Sequence, residues 1–335
     1  MDIELSAEQR VFRDSCAKLA ADLAARWSAG RGPHDVASPE PDPAAWGRIV
    51  DAGWLALGLS EANGGLGASM VDLCVLAEQL GAHTVAAPVL GTLIAAEQLQ
   101  TWGADASLLG SIAEGSVRVA PALSASLHGF GADLAYDSAG ATLCVVPDTS
   151  TGTGNAHALG AARTFADVTR VVRPLGEPVQ SVALVPPAPE ALARLDAFTL
   201  ALLVAELLGA AQAALACALD HARVRTQFGA VIGSFQQVQQ LLADSHVLVE
   251  GMRSATYYVA WAVDALPGPQ ALRAARVAKA FASRSAVEVC ENAIQVFGGI
   301  GMTWEHPAHL WLRRAHAARL AFGNEHHHQR VLAGA

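Results

Sequence analysis

The sequence predicts a mostly α protein with a small β domain: an N-terminal helical domain over 1–117, a middle β domain over 118–189 and a C-terminal helical bundle over 190–335. Three observations predict it. Apolar residues recur at helical spacing on both sides of the centre. The centre itself breaks into short β-branched runs between Gly, Pro and Asp clusters. The composition, 52% hydrophobic and 16% charged over 335 residues, is the reverse of the low hydrophobicity and high net charge that keep a chain disordered.

In chain order, Ser6-Ala-Glu-Gln9 has the form of a capping box, and between Glu8 and Trp27 the residues Val11, Phe12, Cys16, Leu19 and Leu23 fall on one helix face. Residues 28 to 43 are rich in Gly, Pro, Asp and Ser and read as a loop, followed by helices over Ala44–Ala52 and Met70–Leu80. Between those helices, Gly64-Gly65-Leu66-Gly67 reads first as a turn needing backbone freedom, ahead of a ligand contact. Thr142–Val146, Val168–Val172 and Ser181–Val185 read as strands of a barrel-like domain, with turn-rich Pro147–Gly154 where such a domain holds a ligand loop. Helical patterning returns at about 190–224, 234–265, 269–297 and 307–333, four long helices that suit an antiparallel bundle.

Bulk properties exclude several function classes. With 22 basic against 31 acidic residues and a net charge of −9, the chain lacks the basic excess that a phosphate backbone requires, so no nucleic acid is expected as a partner. Cys16, Cys74, Cys144, Cys217 and Cys290 show no CxxC spacing and are odd in number, which suits reduced core thiols in a cytoplasmic protein. MDIELSAEQR has no apolar run and does not read as a signal peptide. Ala197–Leu219 is long and apolar enough to cross a bilayer, yet it is mostly Ala and carries Glu206 and Gln212 near its centre. A buried core helix is the expected reading, with no membrane.

Two motifs carry the functional reading. Arg225-Thr-Gln-Phe-Gly229, followed by Ile232, Phe235-Gln236 and Leu242-Ala243-Asp244, lies between two predicted helices; Gln295-Val-Phe-Gly-Gly299-Ile-Gly301 follows, then Glu305-His-Pro307 and Arg313-Arg-Ala315. In this order they resemble the acyl-CoA dehydrogenases, whose helix junction reads R-x-x-F-G with a Gln eleven residues after the Arg, and whose later stretch reads Q-x-x-G-G-x-G. The N-terminal third agrees more loosely through Trp46, Gly53-Trp54, Glu61, the Gly64–Gly67 turn, Glu78-Gln-Leu-Gly81 and Pro88. The resemblance covers nearly the whole chain and is weakest at about 125–190.

The resemblance implies an acyl-CoA substrate, FAD, a homo- or heterotetramer with a second acyl-CoA dehydrogenase subunit, and an electron-transfer acceptor. It further implies that Arg225, Phe228, Gln236, Gln295, Gly298 and Gly299 reach across a dimer interface to FAD held mainly by the neighbouring subunit. The chemistry suits those roles. A guanidinium bonds a pyrophosphate bidentately, an aromatic ring walls a ring system, amides offer neutral donors and acceptors, and glycines let backbone N–H groups approach phosphate or ribose oxygens. The plainer readings are a surface ion pair for Arg225 and a helix C-cap for Gln295–Gly299.

Members of that family remove the substrate α-proton with a glutamate. Here the two usual base positions fall on Gly323 and Thr199, with Leu200 where many members carry an arginine, so the catalytic residue is open. Glu325 is the strongest substitute. Glu206 lies two helical turns from Thr199 and reads as a contact inside the bundle, and Asp196 reads equally as a helix cap. His326-His327-His328 reads as an exposed polar run, since consecutive helical histidines splay apart and cannot share one metal ion. The family's flavin-contacting segment in the β domain has no clear copy between 118 and 190. Three readings stay open: a partner subunit of the short kind found in actinobacterial enzymes that desaturate steroid side-chain thioesters, a self-sufficient homo-oligomeric enzyme using Glu325, and a flavin-free scaffold.

Overall fold

The computed structural model describes residues 4–29, 42–148, 151–163 and 165–334; most of the loop read at 28–43 lies outside them. Five helices come first: α1 Ala7–Ser28, α2 Pro43–Asp51, α3 Met70–Ala82, α4 Val89–Thr101 and α5 Ala106–Ala113. α1 begins with the reciprocal capping box read from the sequence, the Ser6 hydroxyl accepting from the Gln9 amide and the Gln9 side chain accepting from the Ser6 amide. A second box of the same kind, Ser69 with Asp72, starts α3.

Five strands follow: β1 Ala122–Leu123, β2 Leu134–Ala135, β3 Val145–Asp148, β4 Thr153–Leu159 and β5 Arg173–Ala183, in the antiparallel order β1-β2-β5-β4-β3. A parallel bridge between Val119 and Leu143 links the segments before β1 and β3, so the two edges approach each other and the sheet curls toward a barrel. The strand expected at Val168–Val172 is not one. Asp167 accepts from the Thr169 amide at 2.9 Å and bends the chain into a buried turn, and regular pairing begins only at Arg173.

The remaining chain forms α6 Pro189–Val224, a hairpin of β6 Thr226–Gln227 and β7 Ala230–Val231, α7 Gln236–Ala265, α8 Gly268–Phe297, α9 Ala308–Leu320 and α10 Glu325–Ala333. The single helix expected over 307–333 is two, broken where Phe322 and Gly323 take φ +56° and +94° and cannot continue an α-helix. Asp196 lies inside α6, whose N-cap is Ala188, so it is no cap.

α6 is the axis of the molecule. It packs on α3, α7, α8 and α9, and 78% of its most apolar window is buried, which accounts for a bilayer-length apolar run in a packed core. Its crossing with α3 is close enough that a Cβ on Gly209 would stand 1.8 Å from the Glu78 carbonyl oxygen, and one on Gly81 2.1 Å from that of Glu206. Only glycine on each side permits it.

Candidate functional site

The two motifs meet at one end of the bundle. α6 ends at Val224, and Arg225 caps it in extended conformation. The chain then reverses through β6 and β7, closed by the Ile232 amide donating to the Arg225 carbonyl at 2.8 Å. Arg225 is exposed, and among the described residues its guanidinium makes no hydrogen bond or ion pair. At the hairpin tip Phe228 has φ +52° and is 96% exposed, an edge contact to Phe235 at 6.4 Å its only ring partner among the described residues. Gln236 opens α7 and Gln295 stands near the end of α8, both exposed. Gly298 ends α8 with φ +65°, and a Cβ built on Gly298 or Gly299 meets nothing within 4 Å. His221, one turn before Arg225, joins the motifs: its ring lies edge-on to Phe297 with centroids 5.3 Å apart. Beyond the glycines, Ile300, Met302 and Trp304 are exposed as well.

The corner between α9 and α10 is built in the opposite sense. The Gly323 amide donates to the Leu127 carbonyl at 2.8 Å, and its carbonyl accepts from Lys279 Nζ, also at 2.8 Å. A Cβ at Gly323 would lie 2.5 Å from His327 Cδ2 and 3.1 Å from His328 Nε2. The loop between β1 and β2 is fastened over this corner by two further contacts, Phe130 edge-on to Phe322 at 4.9 Å and His128 stacked on His327 at 4.2 Å. The space left beneath is a cavity of about 180 Å³ lined by Leu123, Leu127, Leu134, Tyr136, Phe165 and Ala321.

No carboxylate is aimed at that cavity from the positions considered. Glu325 is buried and receives Arg319 Nε at 2.8 Å. Burial alone would raise its pKa, but the Arg319 bonds prevail and hold it below the usual carboxylate range. Thr199 is fully buried and its hydroxyl donates to the Leu195 carbonyl at 2.9 Å. Asp196 is half-buried, its pKa raised by burial against the pull of Arg276. The histidine run is not uniformly exposed: His326 is, but His328 is buried with both ring nitrogens unpartnered, and burial drives its pKa down to about 3. Among the described residues no three His, Cys, Asp or Glu side chains gather as metal ligands would.

Residues 6–108 match the family model for the acyl-CoA dehydrogenase N-terminal domain, and residues 198–335 that for the acyl-CoA dehydrogenase C-terminal domain. IpdE2 of Mycolicibacterium smegmatis, an acyl-CoA dehydrogenase, is 30% identical over 286 residues, 84% of each chain. The chain belongs to the acyl-CoA dehydrogenase family. The acyl-CoA dehydrogenase FadE34 of Mycobacterium tuberculosis is 33% identical over 330 residues, 93% of this chain but 45% of that protein, so the chain spans under half of that relative's length. In the fold, a chain of the ChsE4–ChsE5 complex from Mycobacterium tuberculosis superposes with a TM-score of 0.82 at 21% identity, over 100% of this chain and 98% of that one.

Within this acyl-CoA dehydrogenase fold, Glu206 is structural. It takes both Arg170 and Arg314, the latter at 2.9 Å, at a point where α6, α9 and the turn before β5 meet. Asp167 bonds Arg314, Tyr136 accepts from Arg170 at 2.7 Å, and all five side chains are buried. Sequence reasoning missed the β1–β2 loop as a cover, and it gave no role to Lys279, His221 or His306. His221 and His306 each carried a signal, one helical turn before Arg225 and inside the Glu305-His-Pro307 motif.

Proposed function

We propose that this chain is a cytoplasmic partner subunit of a heteromeric acyl-CoA dehydrogenase, lending Arg225, Phe228, Gln236, Gln295, Gly298 and Gly299 to FAD held mainly by a second, glutamate-bearing subunit. The reaction is α,β-desaturation of an acyl-CoA thioester, with the bulky steroid side-chain type as its substrate class. The observation that carries this reading is the contrast between the two sites. Arg225 stands exposed with no partner among the described residues, whereas the usual base position, Gly323, is closed on both peptide faces.

The donor face fits a dinucleotide. A free guanidinium supplies two parallel N–H bonds to a phosphate, worth about 1.5–3 kcal/mol as charge-assisted bonds. The open space over Gly298 and Gly299 leaves their backbone N–H groups approachable. An exposed Phe in a positive-φ conformation costs its own chain about 1–3 kcal/mol, which a partner covering the ring offsets. The cavity beneath the α9–α10 corner, about 180 Å³, falls below the roughly 300 Å³ at which ligand pockets begin. FAD, when bound, supplies the hydride acceptor; the residues of this chain anchor it. The two-component solved relative is consistent with such an assembly.

Purification decides between the readings. Alone, the chain is expected to be colourless; co-purified with a glutamate-bearing acyl-CoA dehydrogenase from the same genome, it is expected to be yellow and to reduce an artificial acceptor with a steroid acyl-CoA. A chain that is yellow and active alone would establish the self-sufficient enzyme, which the engagement of Glu325 by Arg319 disfavours. Absence of flavin in every combination would establish a scaffold.

A further inference from the structure

We propose that His221 and His306 are two additional anion-contacting side chains of the donor face, lending imidazole N–H groups to a phosphate of the dinucleotide that Arg225 holds. This rests on the donor reading above.

Both rings are organised by Phe297. His221 lies 5.3 Å from it and His306 4.1 Å, centroid to centroid. His221 stands one turn before the cap of α6, and the Arg225 amide donates to its carbonyl at 2.9 Å. His306 lies in the segment that follows Gly298 and Gly299. One element of each motif therefore contributes an imidazole to the same aromatic platform.

The hydrogen bonding leaves these rings free to donate. His306 Nδ1 accepts from the Ala308 amide at 3.2 Å, so the neutral ring carries its proton on Nε2. That Nε2–H has no acceptor among the described residues, and neither has any ring N–H of His221. Both rings are half-exposed, so a ligand oxygen can take over their N–H groups from solvent.

The surrounding charges select an anion. Burial, then Arg225, lowers the pKa of His221; burial, then His221, lowers that of His306. Carboxylates nearby in sequence are otherwise engaged. Asp220 pairs with Arg223 at 3.0 Å, and Glu305 is held low by a backbone bond and by Thr303. Cys217, one turn before His221, has its thiol pushed up by burial and stays neutral. His309, one turn past His306, is depressed by burial and by Arg313. Burial is the larger cause of both depressions, and a phosphate brought between the imidazoles and Arg225 offsets it by attracting their charged forms, so binding takes up protons and tightens as pH falls.

The test is a fluorescence titration of the apo heteromeric complex with FAD from pH 5.5 to 8. Wild type is expected to bind about three- to tenfold more tightly at pH 6 than at pH 8, the span that partial uptake of one proton allows. His221→Gln with His306→Gln, which keeps neutral side-chain donors, is expected to flatten that profile and to weaken binding several-fold at pH 6 while subunit association stays unchanged. The single variants each remove part of the slope and serve if the double variant assembles poorly. A histidine variant with the wild-type profile overturns this inference; if Arg225→Ala still weakens FAD, the donor reading stands. A complex that binds no FAD, or binds it equally well with Arg225→Ala, overturns both.

Discussion

The amide of Gly323 donates to the carbonyl of Leu127 at 2.8 Å, tying the corner before the last helix to the β1–β2 loop. This bond, with His128 on His327 and Phe130 on Phe322, makes the corner a clasp between the β1–β2 loop and the last two helices. A glutamate placed at Gly323 must hold φ near +94° and displace His327 from a contact of 2.5 Å. Gly323→Glu is therefore expected to lose about 1–3 kcal/mol of stability by urea denaturation, from backbone strain alone, and to gain no dehydrogenase activity as an isolated chain. Activity in that isolated variant would show that the corner opens readily.

The buried knot of Glu206, Asp167, Arg170 and Arg314 is expected to carry stability rather than chemistry. Arg314→Met leaves two buried carboxylates undercompensated, and urea denaturation should register a loss of about 3–5 kcal/mol. Asp220→Ala removes an exposed pair with Arg223 and should cost under about 1 kcal/mol. Equal effects from the two substitutions would contradict this assignment.

His328 gives the protein a specific acid sensitivity. Burial first, then Lys279, holds its pKa at about 3 against an ordinary value of 6.5, so the unfolded chain binds the proton first. The stability from this depressed value is complete above pH 6.5 and is lost as pH falls from 6.5 toward 3, with a slope of at most about 1.4 kcal/mol per pH unit. His328→Leu is expected to make the acid limb of stability against pH shallower. An unchanged limb would mean that His328 is reached by water in the native state.

How much of this was legible follows from the range of each interaction. The long helices were readable because apolar periodicity repeats over many turns, and α6 matches its expected span to one residue at its start. β1 and β2, two residues each, offer no periodicity. Val168–Val172 has strand composition but is bent by the short-range Asp167–Thr169 bond, a competition that β-branched content does not reveal. The motifs singled out Arg225 and Gln295, but only the tertiary structure shows that Arg225 has no partner among the described residues and that His221 meets Phe297. His326–His328 reads as one polar run, while the helix turns His328 into the core.

The most direct test of the donor face is the flavin content of the purified heteromer carrying Arg225→Ala. Loss of a bidentate charge-assisted contact worth about 1.5–3 kcal/mol weakens binding roughly 10- to 100-fold, so the complex should stay assembled on size exclusion but lose most of its flavin per chain. Wild-type flavin stoichiometry and affinity in that variant would contradict the account.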